Sequence, residues 1–280
     1  YASSGRSYAF ADKNEIFVMQ IVNGKHYAIS RVSDDEVAVI PNHYTIHEPG
    51  KNFRGYENLI SYAQKRGWYN GSDFDFAKVY QSKETYGIEK NTFRHVKAFE
   101  ILLDEDLSGL LKKEWQGLPF SVKPTKLVEI ETLKKILRAH NHENYKHADK
   151  PISICNYETL ESHIVQIKND TDKIIIRKAL GRPCISPYLF FYFGKIFDLN
   201  SSSDNGDKAL FEHFKTKPEE LDDKNNSWCR SLEIQEMRDK LGAETLKEKL
   251  KIFENSLEEK IKNNQPSPTI ENYLDFLKKI

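Results

Sequence analysis

Apolar residues near the start of the chain cluster in short runs separated by turn formers. Four of these runs, Ser7–Asp12, Glu15–Val22, Lys25–Val32 and Glu36–Ile40, read as strands. The second, EIFVMQIV, is nearly continuous in apolar residues, the pattern of a strand covered on both faces. Asn23-Gly24 predicts a tight hairpin, because both positions favour positive φ, and Asp34-Asp35 predicts the turn from the third strand into the fourth. The expected unit is an antiparallel meander that delivers Asn42 to the end of a buried sheet.

The period then lengthens. Tyr56–Arg66 places Tyr56, Leu59, Ile60 and Ala63 on one helical face and ends in Lys-Arg-Gly, basic residues followed by a glycine stop. Asn91–Leu103 carries a stripe of Phe93, Val96, Phe99 and Leu103 behind a capping Asn91. Thr125–Leu137 repeats the stripe with Leu127, Ile130, Leu133 and Leu137. Strand patterns return at Ser162–Lys168, Lys173–Leu180 and Tyr188–Phe193, with Gly181-Arg182-Pro183 as a break. Polar, loop-like sequence begins at Asn200. Ser227–Lys262 is helical with an interruption near Gly242, and Ser267-Pro268 starts a last helix through Leu277. Strands, helices and strands again imply an α+β layered fold, with residues 1–199 as the layered domain and 200–280 as a helical C-terminal extension.

Composition narrows the chemistry mainly by exclusion. Lys plus Arg and Asp plus Glu balance at 42 each among 280 residues, so no global field favours nucleic acid or an anionic membrane surface. The longest apolar run, Ile185–Phe193, is too short to span a bilayer. The chain starts at Tyr1 with neither an initiator Met nor a signal region, and is read as a processed product or a fragment. Cys155, Cys184 and Cys229 are widely spaced without a CxxC and read as free, mostly buried thiols rather than a metal site or disulfide. His140 and His142 in HNHENYKH do not share a helix face, which argues against a preformed zinc site there. Cys184 has no base nearby in sequence and reads as a core or turn thiol. No Walker loop, dinucleotide-binding glycine pattern, HExxH or GxSxG occurs. No cofactor and no metal are expected.

Two residues stay open on local grounds. Asn42, after Pro41 at the end of the fourth strand, is either a turn former or an amide that holds a substrate carbonyl or developing oxyanion. Arg94 lies off the apolar stripe of its helix and is by default solvated or salt-bridged.

The run FADKNEIFVMQIVNGKHYAISRVSDDEVAVIPNHYTI closely resembles the C69 family of dipeptidases, relatives of the secernins. The likeness continues in NLISYAQKRGWYNGSDFDFAKVY and in ESHIVQIKNDTDKIIIRKALGRPCISPYLFFYFG, in the same order, and is loose beyond residue 200. The resemblance implies an N-terminal-nucleophile hydrolase with a four-layer αββα sandwich, of which this chain is a part. A processed N-terminal Cys would attack an amide carbonyl, with its own α-amino group as base. By the same resemblance Asn42 supports the oxyanion or substrate, and Arg94, on a weaker match, lies near the nucleophile. Tyr1 cannot replace that Cys. The chain is therefore expected to be the larger C-terminal portion, inactive alone, acting on a dipeptide or small amide with an upstream segment or chain that carries the Cys. The alternatives are a secernin-like, non-catalytic interaction protein and a hydrolase of another linear amide.

Overall fold

The computed structural model describes residues 5–22, 25–47, 53–55, 58–82, 89–112, 118–141, 152–168, 174–193 and 227–279. It is an α+β structure that divides into two compact units. One is built mainly from residues up to Ile136; the other combines Leu137–His140 with the chain from Cys155 onward. Among the described residues no helix is long and apolar enough to cross a membrane.

In the first unit, β1 (Arg6–Ala11), β2 (Ile16–Val22) and β3 (His26–Arg31) form the predicted antiparallel meander, with Tyr8 opposite Met19 and Met19 opposite Ile29. The Asn23-Gly24 hairpin lies outside the described residues, while Asp34 and Asp35 do occupy a turn. The meander stops at three strands. The fourth predicted strand shrinks to β4 (Val37–Ala38) and pairs with β6 (Ser121–Val122), and β5 (Phe53–Gly55) takes the free edge of β3. Polar contacts explain the diversion: Ser121 Oγ donates to Glu36 Oε2 at 2.5 Å and Lys123 pairs with Asp35 at 2.9 Å, so the turn is fastened to the β6 side.

The apolar run of β2 is not covered equally on both faces. Val18 and Gln20 are fully buried, whereas Phe17 and Met19 on the other face are half-buried. β1 is exposed along its whole length, and no other described strand pairs with its outer edge. The core joins Val18 and Ala28 to Leu59 and Ala63 of α1 (Leu59–Lys65), Phe76 of α2 (Phe76–Tyr80) and Val96 of α3 (Glu89–Leu103). The first helix starts at Leu59 behind Asn58, and Gly67 follows it at φ 69° as the anticipated stop. α3 begins at Glu89, so Asn91 is an interior residue rather than its cap. α4 (Ile130–Leu137) is shorter than the Thr125–Leu137 pattern. Thr125 donates its backbone N–H to the Leu102 carbonyl instead, and Leu127 is solvent-exposed.

The second unit holds β7 (Glu161–Ile167), β8 (Ile174–Leu180) and β9 (Leu189–Tyr192), paired antiparallel in that order, with Gly181 at φ 77° closing β8. α5 (Ser227–Leu241) and α6 (Ala243–Lys262) flank Gly242, whose φ of 84° is the predicted interruption. α7 (Ile270–Lys278) is capped by Thr269 in a capping box with Asn272. Ser267, the expected cap, instead accepts the Phe190 N–H at 3.1 Å. Ile175 and Phe190 share one core with Ile234, Leu246, Leu250, Leu257 and Tyr273. Arg138 and Arg177 reach carboxylates on α6 through paired hydrogen bonds to Glu254 and Glu258.

Candidate functional site

Asn42 is the exposed first residue of a segment, Asn42–His47, whose remaining residues are anchored one after another. Gln20, fully buried on β2, does most of the anchoring. Its Oε1 accepts the N–H groups of Thr45 at 2.9 Å and Ile46 at 3.0 Å, and its Nε2 donates to Thr45 Oγ1 at 3.2 Å. Tyr44 donates its hydroxyl to the Ile21 carbonyl at 2.9 Å and its N–H to Gln81 Oε1 at 2.9 Å. The Ile46 and His47 carbonyls accept the first N–H groups of α2, from Ala77 and Phe76. The segment is thus a rigid arm, with Asn42 at its tip.

Histidines surround the arm. His43 Nε2 lies 3.1 Å from His95 Nδ1 of α3, both rings buried, so one neutral imidazole donates and the other accepts. Burial, with the positive field of His47 added, lowers His43 to about 4. Burial and then the neighbouring imidazoles lower His95 to about 3. His47 contacts two acceptors, Asp75 Oδ2 at 3.0 Å and the Leu118 carbonyl at 2.9 Å. With a proton on each nitrogen the ring donates to both acceptors and makes an ion pair with Asp75. Burial opposes the charge of Asp75, but the hydrogen bonds from His47 and from the Lys78 N–H prevail and hold its carboxyl below the usual range.

Asn91 of α3 donates its side-chain amide to the Asn42 carbonyl at 3.2 Å, one helical turn before His95. Arg94, on the same helix, is half-buried and sends Nε to two carbonyls, Ile152 at 3.2 Å and Ser153 at 3.1 Å. Among the described residues no hydrogen bond joins the side chains of Asn42 and Arg94, though α3 carries contacts to both regions. Asn42 is exposed, and among the described residues no hydrogen bond is made by its side-chain amide, while Arg94 is engaged in holding backbone.

Sequence reasoning did not single out Gln20, His43 or His95, and it read Asn91 only as a helix cap. A glutamine in an otherwise apolar strand was a readable signal for a buried polar anchor. The histidine pair was not readable, because His43 and His95 meet only through the packing of α3.

The fold and this arm describe an α+β protein that presents one side-chain amide from a rigid, histidine-lined segment, an arrangement suited to holding a carbonyl oxygen. The model of peptidase family C69 matches residues 1–195, and the chain belongs to that family. Among curated proteins it is similar to a probable dipeptidase of Latilactobacillus sakei, with 22% identity over 245 residues, 81% of this chain and 48% of the relative. It is also similar to a probable dipeptidase B of Streptococcus pyogenes serotype M1, 25% identical over 261 residues, 82% of this chain and 48% of the relative. The chain therefore spans about half the length of the curated relatives it matches.

Proposed function

We propose that this chain is the substrate- and oxyanion-holding portion of a cysteine dipeptidase of the N-terminal-nucleophile type. Membership of family C69 with Asn42 at the tip of a rigid arm carries the reading. In this scheme an upstream segment brings an N-terminal Cys whose α-amino group takes the thiol proton. The thiolate attacks the substrate amide carbon, and the Asn42 Nδ2 donates to the oxyanion. Collapse to a thioester expels the amine, which takes the proton back, and water hydrolyses the thioester. Because the arm is anchored at every residue from His43 to His47, the amide is positioned before substrate arrives. Arg94 orients the site by holding the backbone at Ile152 and Ser153.

The half-covered sheet face supports a further part to the protein. Tyr8 and Phe10 stand exposed on β1 beside the half-buried Phe17 and Met19, as expected if a second sheet covers this face in an αββα sandwich. The end of the family match at residue 195 supports taking 1–199 as the family domain portion and 200–280 as a helical addition.

The test is hydrolysis of a dipeptide panel by the 280-residue chain and by the complete protein with its upstream segment. The chain alone is expected to be inactive and the complete protein active. Asn42→Ala in the complete protein should lower kcat/KM by about 100-fold or more. Hydrolysis by the chain alone would refute a nucleophile supplied from upstream. Inactivity of the complete protein toward dipeptides and other linear amides would favour the non-catalytic, secernin-like alternative.

A further inference from the structure

Three sulfur and nitrogen donors from distant positions meet in the second unit. His140 follows α4, Cys155 precedes β7, and Cys184 sits in the turn between β8 and β9. Their ligand atoms all lie within 4.8 Å of one another. Two hydrogen bonds, one between backbone groups and one from a side chain, hold the three segments together. The Cys155 N–H donates to the Ala139 carbonyl at 3.1 Å, and Arg138 Nε donates to the Pro183 carbonyl at 2.7 Å. Cys155 is fully buried, and neither sulfur is in a disulfide. The turn bearing Cys184 is itself closed by the Ile185 and Ser186 N–H groups, which donate to the Arg182 carbonyl at 3.1 and 3.0 Å.

We propose that His140, Cys155 and Cys184 form a zinc-binding site that clasps these three segments. Tetrahedral zinc with Zn–S of about 2.3 Å and Zn–N of about 2.0 Å separates two sulfurs by about 3.8 Å and sulfur from nitrogen by about 3.5 Å, so the observed spread of 4.8 Å requires a contraction of about 1.3 Å at most. Two thiolates and one imidazole suit a borderline-soft ion and exclude calcium and magnesium, which take oxygen. The charges close as well. Binding releases two thiol protons to solvent and leaves a neutral cluster of a dication and two thiolates. The nearby Arg138 guanidinium is already matched by Glu254 at 2.7 and 3.1 Å. Three protein ligands and a water complete the four positions, an open coordination rather than the all-protein set of a closed structural site. The ion would tie His140, just past α4, to the β8–β9 turn.

The experiment uses the full chain, purified with reductant, stripped with a chelator and then titrated with Zn²⁺ and with Co²⁺. About one zinc per chain should bind, and cobalt should give the intense visible bands of a tetrahedral site together with thiolate-to-metal charge transfer. Zinc should raise Tm and protect Cys155 and Cys184, but not Cys229, from alkylation. Cys184→Ser and His140→Gln should weaken zinc binding at least tenfold and change the cobalt spectrum while circular dichroism stays native. Cys155→Ser is left out because its burial puts folding at risk. The proposal is overturned if zinc does not bind stoichiometrically, or if the cobalt spectrum is unchanged in both variants. It is equally overturned if, in the reduced chain, Cys155 and Cys184 are alkylated at the same rate with and without zinc.

Discussion

Replacing Gln20 with Leu tests whether one buried amide holds the Asn42 arm. Leucine fills nearly the same space but makes none of the amide's bonds. The Thr45 and Ile46 N–H groups, now 2.9 and 3.0 Å from Oε1, would lose their acceptor. Both residues are buried, so water does not replace it. Each orphaned buried donor costs about 1–3 kcal/mol. The longer contacts to Thr45 Oγ1 at 3.2 Å and Ser7 Oγ at 3.4 Å add little. Against this, leucine removes the desolvation burden of the amide and offsets about 1 kcal/mol. The net expectation is a loss of about 1–5 kcal/mol, centred on about 3 kcal/mol. Because the damage is local, hydrogen exchange at Thr45 and Ile46 should accelerate by about 30-fold or more. In the complete protein kcat/KM should fall more than Tm alone explains. Unchanged exchange at these two amides, in a variant with normal Tm, would refute the claim that Gln20 sets the position of Asn42.

Other expectations follow from the same geometry. His43 at about 4 and His95 at about 3 both lie below the ordinary imidazole value, so as pH falls the unfolded chain takes up protons first. Their contribution to stability is full above about pH 6.5 and is lost below it, by about 1 kcal/mol per pH unit for each ring. The drop in Tm between about pH 7 and pH 5 should therefore shrink in His43→Gln/His95→Gln, and an identical drop would contradict two neutral buried rings. Glu254→Gln weakens a carboxylate that binds Arg138 twice and accepts the Tyr188 N–H at 2.8 Å. It should destabilise by about 2 kcal/mol in calorimetry, whereas Glu259→Gln at the exposed pair with Lys262 should leave Tm unchanged. Asn42→Ala should leave Tm unchanged while lowering activity. Arg94→Ala should lower Tm by freeing the Ile152 and Ser153 carbonyls, and equal effects of the two substitutions would undo this division of roles.

Strands β1 to β3 and β7 to β9 were legible because alternation and turn residues are local signals. The diversion of β4 was not, since the choice of β6 over β3 depends on Glu36 meeting Ser121, a contact between residues 36 and 121. Asn91 misled for a local reason. Asparagine caps helices often, yet here α3 starts two residues earlier and the amide serves the Asn42 carbonyl. Asn42 was singled out through its motif; Gln20, the one polar residue of Ile16–Val22, was a local sign of an anchor, but that it holds Thr45 and Ile46 emerges only in the fold. The thiols read as unconnected because spacing along the chain says nothing about Ala139 meeting Cys155 or Arg138 meeting Pro183.

The outer edge of β1, which no described strand pairs, also governs how the chain behaves as a material. Between Arg6 and Asp12 lie five uncharged residues, Ser-Tyr-Ala-Phe-Ala, and among the described residues no strand bonds to their outer side. Nothing on that side distinguishes one incoming strand from another, so a second copy can dock there as readily as any other extended peptide. Concentrated solutions of the chain should therefore thicken into edge-to-edge oligomers. A lysine in place of Ala9, costly inside a stacked sheet but harmless to a solitary one, should keep them clear.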